Sequence, residues 1–121
     1  MRLRALRGAT TVEENSAEAI VDATEELVRE VMERNSLSPV DMVSCLFTCT
    51  SDVDAEFPAL AARNLGLSAV PLLCAREIDV PGALPLTIRL MLHCYADPDT
   101  AAHHVYLREA EALRRDLQGA Q

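Results

Sequence analysis

Lysine and tryptophan are both missing from this 121-residue chain, so every one of its eleven basic residues is an arginine. Against nineteen acidic residues these leave a formal charge of −8. A field of that sign repels nucleic acid and anionic membrane, and no local basic patch offsets it, so neither is expected as a partner. No apolar run approaches the length that spans a bilayer. The opening MRLRALRGATT is basic but has neither the apolar centre nor the small-residue cleavage site of a secretion signal. A soluble, cytoplasmic protein is the expectation. Cys45, Cys49, Cys74 and Cys94 form no CxxC pair, and the three histidines are not spaced as metal ligands with them. Without a secretory context they read as free thiols, and zinc is not expected. No grouping of nucleophile, base or metal ligands stands out anywhere.

What is present is apolar mass. Half of the residues are hydrophobic, enough for one core, and residues 1–121 read as a single domain with 116–121 as a flexible tail. Arg2 to Arg7 alternates polar and apolar residues and reads as a strand ended by Gly8, with Arg7 at its aimed end. Asn15 is the expected N-cap of a helix, with Glu18 three residues on. Ile20, Ala23, Thr24, Leu27, Val28 and Val31 then recur at helical spacing, opposite a charged and solvated face. Met42 to Thr50 reads as a buried strand in which Cys45, Phe47 and Cys49 share a face, the two cysteines as core filler. Pro58 suits the first turn of a short helix and Gly66 its end; Arg63 lies on that helix without an acidic partner at helical spacing.

The stretch Val70 to Leu92 carries the most information. It begins apolar, places Cys74, Arg76 and Glu77 at its polar end, turns through Pro81-Gly82, and returns in hairpin-like fashion as an alternating segment. In the return, Leu84, Leu86, Ile88, Leu90 and Leu92 share one face, while Thr87, Arg89, Met91 and His93 share the other. Arg89 therefore projects from the middle of a strand. A guanidinium has five donors and no acceptor, so at such a place it calls for an anion. Either a protein carboxylate such as Glu77 satisfies it, or a ligand does. Beyond it, Leu107 to Leu117 reads equally as a short helix or an extended piece.

The element order gives an α+β fold: one mixed β-sheet, one long helix and one short one. Two helices of those lengths cannot cover both faces of the sheet, so the bare face is expected to pack on another copy.

Several separate stretches carry a resemblance that spans nearly the whole chain. They are Arg4 to Glu13, Phe57-Pro58-Ala59 with Ala62-Arg63, Val70-Pro71-Leu72, Cys74 to Ile78, Pro81 to Leu84, Ile88-Arg89 and His104 to Leu107. Together they resemble the monofunctional chorismate mutases of the AroH class. The resemblance implies a homotrimer built around packed sheets, with active sites in clefts between subunits. It also implies a cofactor-independent Claisen rearrangement of chorismate to prephenate, a step toward the aromatic amino acids. By resemblance, Arg89 donates to the ether oxygen of the breaking C–O bond and to a carboxylate. Arg7 clamps a carboxylate, with the Tyr106 hydroxyl at the same end. Glu77 accepts from the ring hydroxyl and positions Arg89 without serving as a general base, and Cys74 lies near that hydroxyl. Phe57 and Leu113 form apolar walls, Arg63 caps the cleft, and Leu73 contributes to the substrate site.

The chain departs from the family pattern at Leu60, where some members carry a basic residue. It departs again at Leu73, where some carry Thr, and at Arg115, where some carry Pro. Two other classes of function stand beside the enzyme: a trimeric binding module for a small carboxylate ligand, and a purely structural domain that pairs Arg89 internally. The joint presence of Arg7, Glu77, Arg89 and Tyr106 separates the enzyme from both.

Overall fold

The computed structural model describes residues 1–114. The element order is β1 (Arg2–Thr11), α1 (Ala17–Arg34), β2 (Met42–Cys49), α2 (Ala59–Asn64), β3 (Leu72–Arg76), β4 (Thr87–Ala96) and β5 (Val105–Tyr106). The five strands form one sheet in the order β3-β2-β4-β1-β5. β4 runs antiparallel to both neighbours, while β2 with β3 and β1 with β5 are parallel pairs. The sheet is mixed and the fold α+β, as the pattern of elements implies. The expected tail at 116–121 lies outside the described residues, and residues 111–114 are helical.

Periodicity explains the long helix. The six apolar-face positions from Ile20 to Val31 are the residues that α1 buries. They meet Leu6, Phe47, Leu90 and Leu92 from one face of the sheet, all at or near zero exposure. Each such side chain stabilises the fold by roughly 1.5–3 kcal/mol through apolar burial. Cys45 and Cys49 lie in the same layer, and burial, with a lesser contribution from Cys74, pushes each thiol up to about 12. They are unreactive filler. The short helix follows Pro58 and ends as expected, with Gly66 at φ +88°, a left-handed position that suits glycine.

Three local expectations give way to tertiary structure. Gly8 does not end β1, which continues to Thr11. A Cβ at Gly8 would lie 3.1 Å from Leu90 Cγ and 3.2 Å from Leu27 Cδ1, so its bareness admits α1 close to the sheet. The N-cap of α1 is Ser16, whose Oγ accepts from the Ala19 N–H at 3.1 Å. Asn15 instead accepts from the Asp54 and Ala55 N–H groups and donates to Asp54 Oδ1, tying down the loop before α2. Finally, Val70 to Leu92 is not a hairpin: β2 lies between β3 and β4. The alternation assigned to the return strand holds over β4, where Ile88, Leu90 and Leu92 are buried.

The opposite face of the sheet has no helix on it among the described residues. Strand register places Leu3, Leu46, Leu73, Met91 and Tyr95 there. Leu73 is 61 % exposed, Leu3 51 % and Tyr95 49 %.

Gly8→Ala is expected to lower stability by about 1–2 kcal/mol, because the added methyl must displace Leu27 and Leu90 in a filled core. Urea denaturation of the two proteins measures this; an unchanged midpoint would show that the helix can retreat without cost.

Candidate active site

The bare face carries Arg89, Arg7 and Tyr106, three of the residues singled out by resemblance. The register links Ala75 to Thr48, Thr48 to Arg89, Arg89 to Ala9, and Ala9 to Tyr106. These five residues form one row across all five strands, and side chains in such a row share a face. Arg7 lies two residues before Ala9 on β1 and so projects from the same face. Small Ala9, fully buried, lies between Arg89 and Tyr106 in that row.

Glu77 follows β3 directly, and its N–H donates to the Cys49 carbonyl at 2.9 Å. That bond turns the carboxylate toward the row. Its Oε2 lies 3.0 Å from Arg89 Nε and accepts from Thr48 Oγ1 at 2.8 Å. The Nε–H, although buried, is not aligned on that oxygen and has no hydrogen-bond acceptor. We therefore treat the contact as Coulombic attraction rather than a formed hydrogen bond. Glu77 is the more enclosed partner, with 15 % of its side chain exposed against 42 % for Arg89. Of the alternatives for Arg89, the protein carboxylate is the one the structure contains. One side of the guanidinium faces Glu77, and its terminal nitrogens have no hydrogen-bond partner among the described residues.

The start of β4 is held by a second carboxylate. Asp52 accepts from the Leu86 N–H at 3.1 and 3.0 Å and from Thr50 Oγ1 at 2.5 Å. Leu86 adopts φ +52°, an unusual conformation for leucine that these bonds support. Partial burial raises the Asp52 carboxyl, but the Thr50 hydroxyl and the Leu86 N–H together outweigh it and leave it below its ordinary value.

The remaining site residues fall at the sheet's two ends. Phe57 and Cys74 line a cleft of about 340 Å³ at the β3 edge, together with Cys49, Asp54, Glu56 and Arg76. Phe57 is 68 % exposed. Leu73 is on β3, and Arg63 is exposed on α2 without an ion pair among the described residues. Leu113 is half-buried in the helical segment that follows β5. From β3 to β5 is four inter-strand spacings, roughly 19 Å. One chain therefore does not gather all nine residues around one small molecule. Two contributors escaped the sequence reading as site residues: Thr48, which orients Glu77, and Ala9, which spaces the row. Alternation gives the face of each; only strand pairing gives the neighbour.

The family profile described as chorismate mutase type I matches residues 3–117, and the chain belongs to that family of isomerases. Among its relatives, chorismate mutase AroH of Thermus thermophilus is 48 % identical over 121 residues, covering 98 % of this chain and 99 % of that protein. Chorismate mutase AroH of Bacillus subtilis (strain 168) is 42 % identical over 119 residues, covering 97 % and 94 %. A solved chorismate mutase from Clostridium thermocellum superposes with a TM-score of 0.88 at 48 % identity, covering 90 % of this chain and 98 % of that one.

A depressed carboxyl stabilises the fold above its unfolded pKa, and the contribution is lost as pH falls through the folded value. Asp52→Ala is expected to cost about 1 kcal/mol near neutrality, a modest figure because the carboxylate stays solvated. The gap between wild type and variant should close below about pH 4. Denaturation midpoints measured across that range check it; a gap independent of pH would assign the effect to packing.

Proposed function

We propose that the chain catalyses the rearrangement of chorismate to prephenate, in clefts formed where copies of a trimer meet on their bare sheet faces. The observation that carries this reading is the row on that face: Arg89 braced by Glu77, with Tyr106 in register and Arg7 beside it. The binding-module reading is not favoured, since the relatives reported above are chorismate mutases over nearly their full length.

The reaction is intramolecular: one C–O bond breaks as one C–C bond forms, and nothing enters or leaves. The protein therefore has to select a compact conformer of a dianion and stabilise charge building on the ether oxygen. Arg7 and Tyr106 hold a carboxylate and so supply orientation. Arg89 donates to the ether oxygen as the bond lengthens. It is preorganised, since Glu77 fixes its direction before substrate arrives, and that makes it the main electrostatic contributor. Glu77 also accepts from the ring hydroxyl. Phe57, Leu73, Arg63 and Leu113 close the cleft, with the β3 edge of one copy meeting the β1–β5 side of the next, and Cys74 lies near the hydroxyl.

Apolar Leu3, Leu46, Leu73 and Tyr95 on the bare face supply the driving force for assembly. The acidic surface and the lack of a membrane-spanning helix among the described residues fit a cytoplasmic enzyme that works without nucleic acid or membrane.

Purified protein is expected to remove chorismate absorbance with chelator present and no cofactor added, an assay eased by the absence of tryptophan. Arg89→Ala is expected to raise the barrier by about 3 kcal/mol or more, as when an oxyanion donor is lost. Near-normal turnover in a folded variant would remove Arg89 from the mechanism. Light scattering is expected to give three times the 13.2 kDa chain mass; a monomer that turns over chorismate at the same concentration would undo the shared cleft.

A further inference from the structure

The segment joining β4 to β5 is fastened at three points. Arg4 donates to the Thr100 carbonyl at 2.6 Å and to its hydroxyl at 3.3 Å. Asn35, just beyond α1, accepts the His103 N–H and donates to the His103 carbonyl, both at 2.8 Å. The third fastening differs in kind: the main-chain N–H of Arg7 donates to Nδ1 of His104 at 3.0 Å. β5 starts one residue later, where Val105 pairs with Gly8 and Tyr106 with Ala9. An imidazole lone pair thus substitutes for a strand carbonyl at the Arg7 amide. It does so only while Nδ1 is unprotonated, with the ring proton on Nε2.

We infer that His104 is a positioning residue, its neutral imidazole holding the Arg7 backbone and the strand that carries Tyr106 in the register that binds substrate. The inference rests on the assignment of Arg7 and Tyr106 to the substrate site. Protonation of Nδ1 places a donor against a donor, and the fastening becomes a repulsion. The surroundings favour the neutral ring: partial burial of this otherwise exposed residue, the Arg7 guanidinium across the contact and His103 on the same segment all lower the pKa of His104. From the α1 side the segment meets neutral Asn35, and no carboxylate is among the groups that shift the ring. The rearrangement moves no proton, and carboxylates ordinarily titrate near pH 4, so a loss of substrate affinity between about pH 5 and 6.5 belongs to an imidazole.

The test is the KM and kcat for chorismate from pH 5 to 8 in the wild type, His104→Asn, His104→Ala and Arg7→Ala. Asn offers an acceptor oxygen near the Nδ1 position that does not titrate. The wild-type KM is expected to rise as pH falls below about 6.5, with kcat changing less. His104→Asn is expected to keep the high-pH KM and lose that rise. His104→Ala is expected to show a KM roughly fivefold above the wild-type value at pH 8, the factor corresponding to one ordinary hydrogen bond, and no acid rise. An acid rise that persists in both His104 variants, or an alanine variant with wild-type KM at pH 8, would overturn the inference. If Arg7→Ala leaves KM unchanged, the site assignment fails and takes the inference with it. If Arg7→Ala raises KM while the His104 variants match the wild type, the inference alone fails. Imidazole 15N shifts give a readout independent of turnover: the Nε2–H tautomer is expected at pH 7, and the Nδ1–H tautomer would contradict it.

Discussion

A charged guanidinium in the centre of a sheet is the constraint around which this chain is arranged. Arg89 is the third residue of β4, the middle strand, and its side chain projects onto a face that no helix covers among the described residues. Glu77 makes the position tolerable, but only from one side: an ion pair at 3.0 Å with poor hydrogen-bond alignment satisfies the charge and leaves the donors incompletely used. Other features follow from that arrangement. Thr48 holds the carboxylate, Asp52 holds the loop that feeds the strand, and small Ala9 is its neighbour on β1.

The proposed chemistry needs such an arrangement more than it needs reactive groups. A pericyclic step is accelerated by shape and by charge placed where the transition state develops it, and both depend on side chains that hardly move when substrate binds. A sheet provides this better than loops, since each strand is held by its neighbours. In the proposed cleft, the closing residues fall at the sheet's edge, on exposed Phe57, Arg63 and Leu73.

Much of this was legible from residue order, and the division between what was and was not has a physical basis. The burial face of α1, the alternation around Arg89 and the short helix between Pro58 and Gly66 depend on local periodicity and turn chemistry, which a sequence displays directly. Gly8 was misread as a stop because its role is to admit Leu27 and Leu90 from elsewhere in the chain. Asn15 lost the helix cap to Ser16 because Asp54 and Ala55, some forty residues away, engage its side chain. The hairpin reading of Val70 to Leu92 failed since nothing local announces that β2 inserts between the two strands. For the proposed site, Arg89, Glu77, Arg7 and Tyr106 were assigned through the family resemblance. Thr48 was missed because its part is played across a strand boundary.

The distribution of site residues over opposite ends of one sheet also bears on how damage would be inherited. In a shared cleft, a defect at Phe57 or Arg63 spoils the neighbour's site rather than the chain's own, whereas a defect at Arg89 spoils the site its own face builds. Two chains defective in different halves would then rebuild a working cleft when they meet in a mixed assembly. With the proposed shared cleft, loss of function would be a property of the pairing, and two inactive alleles would complement one another.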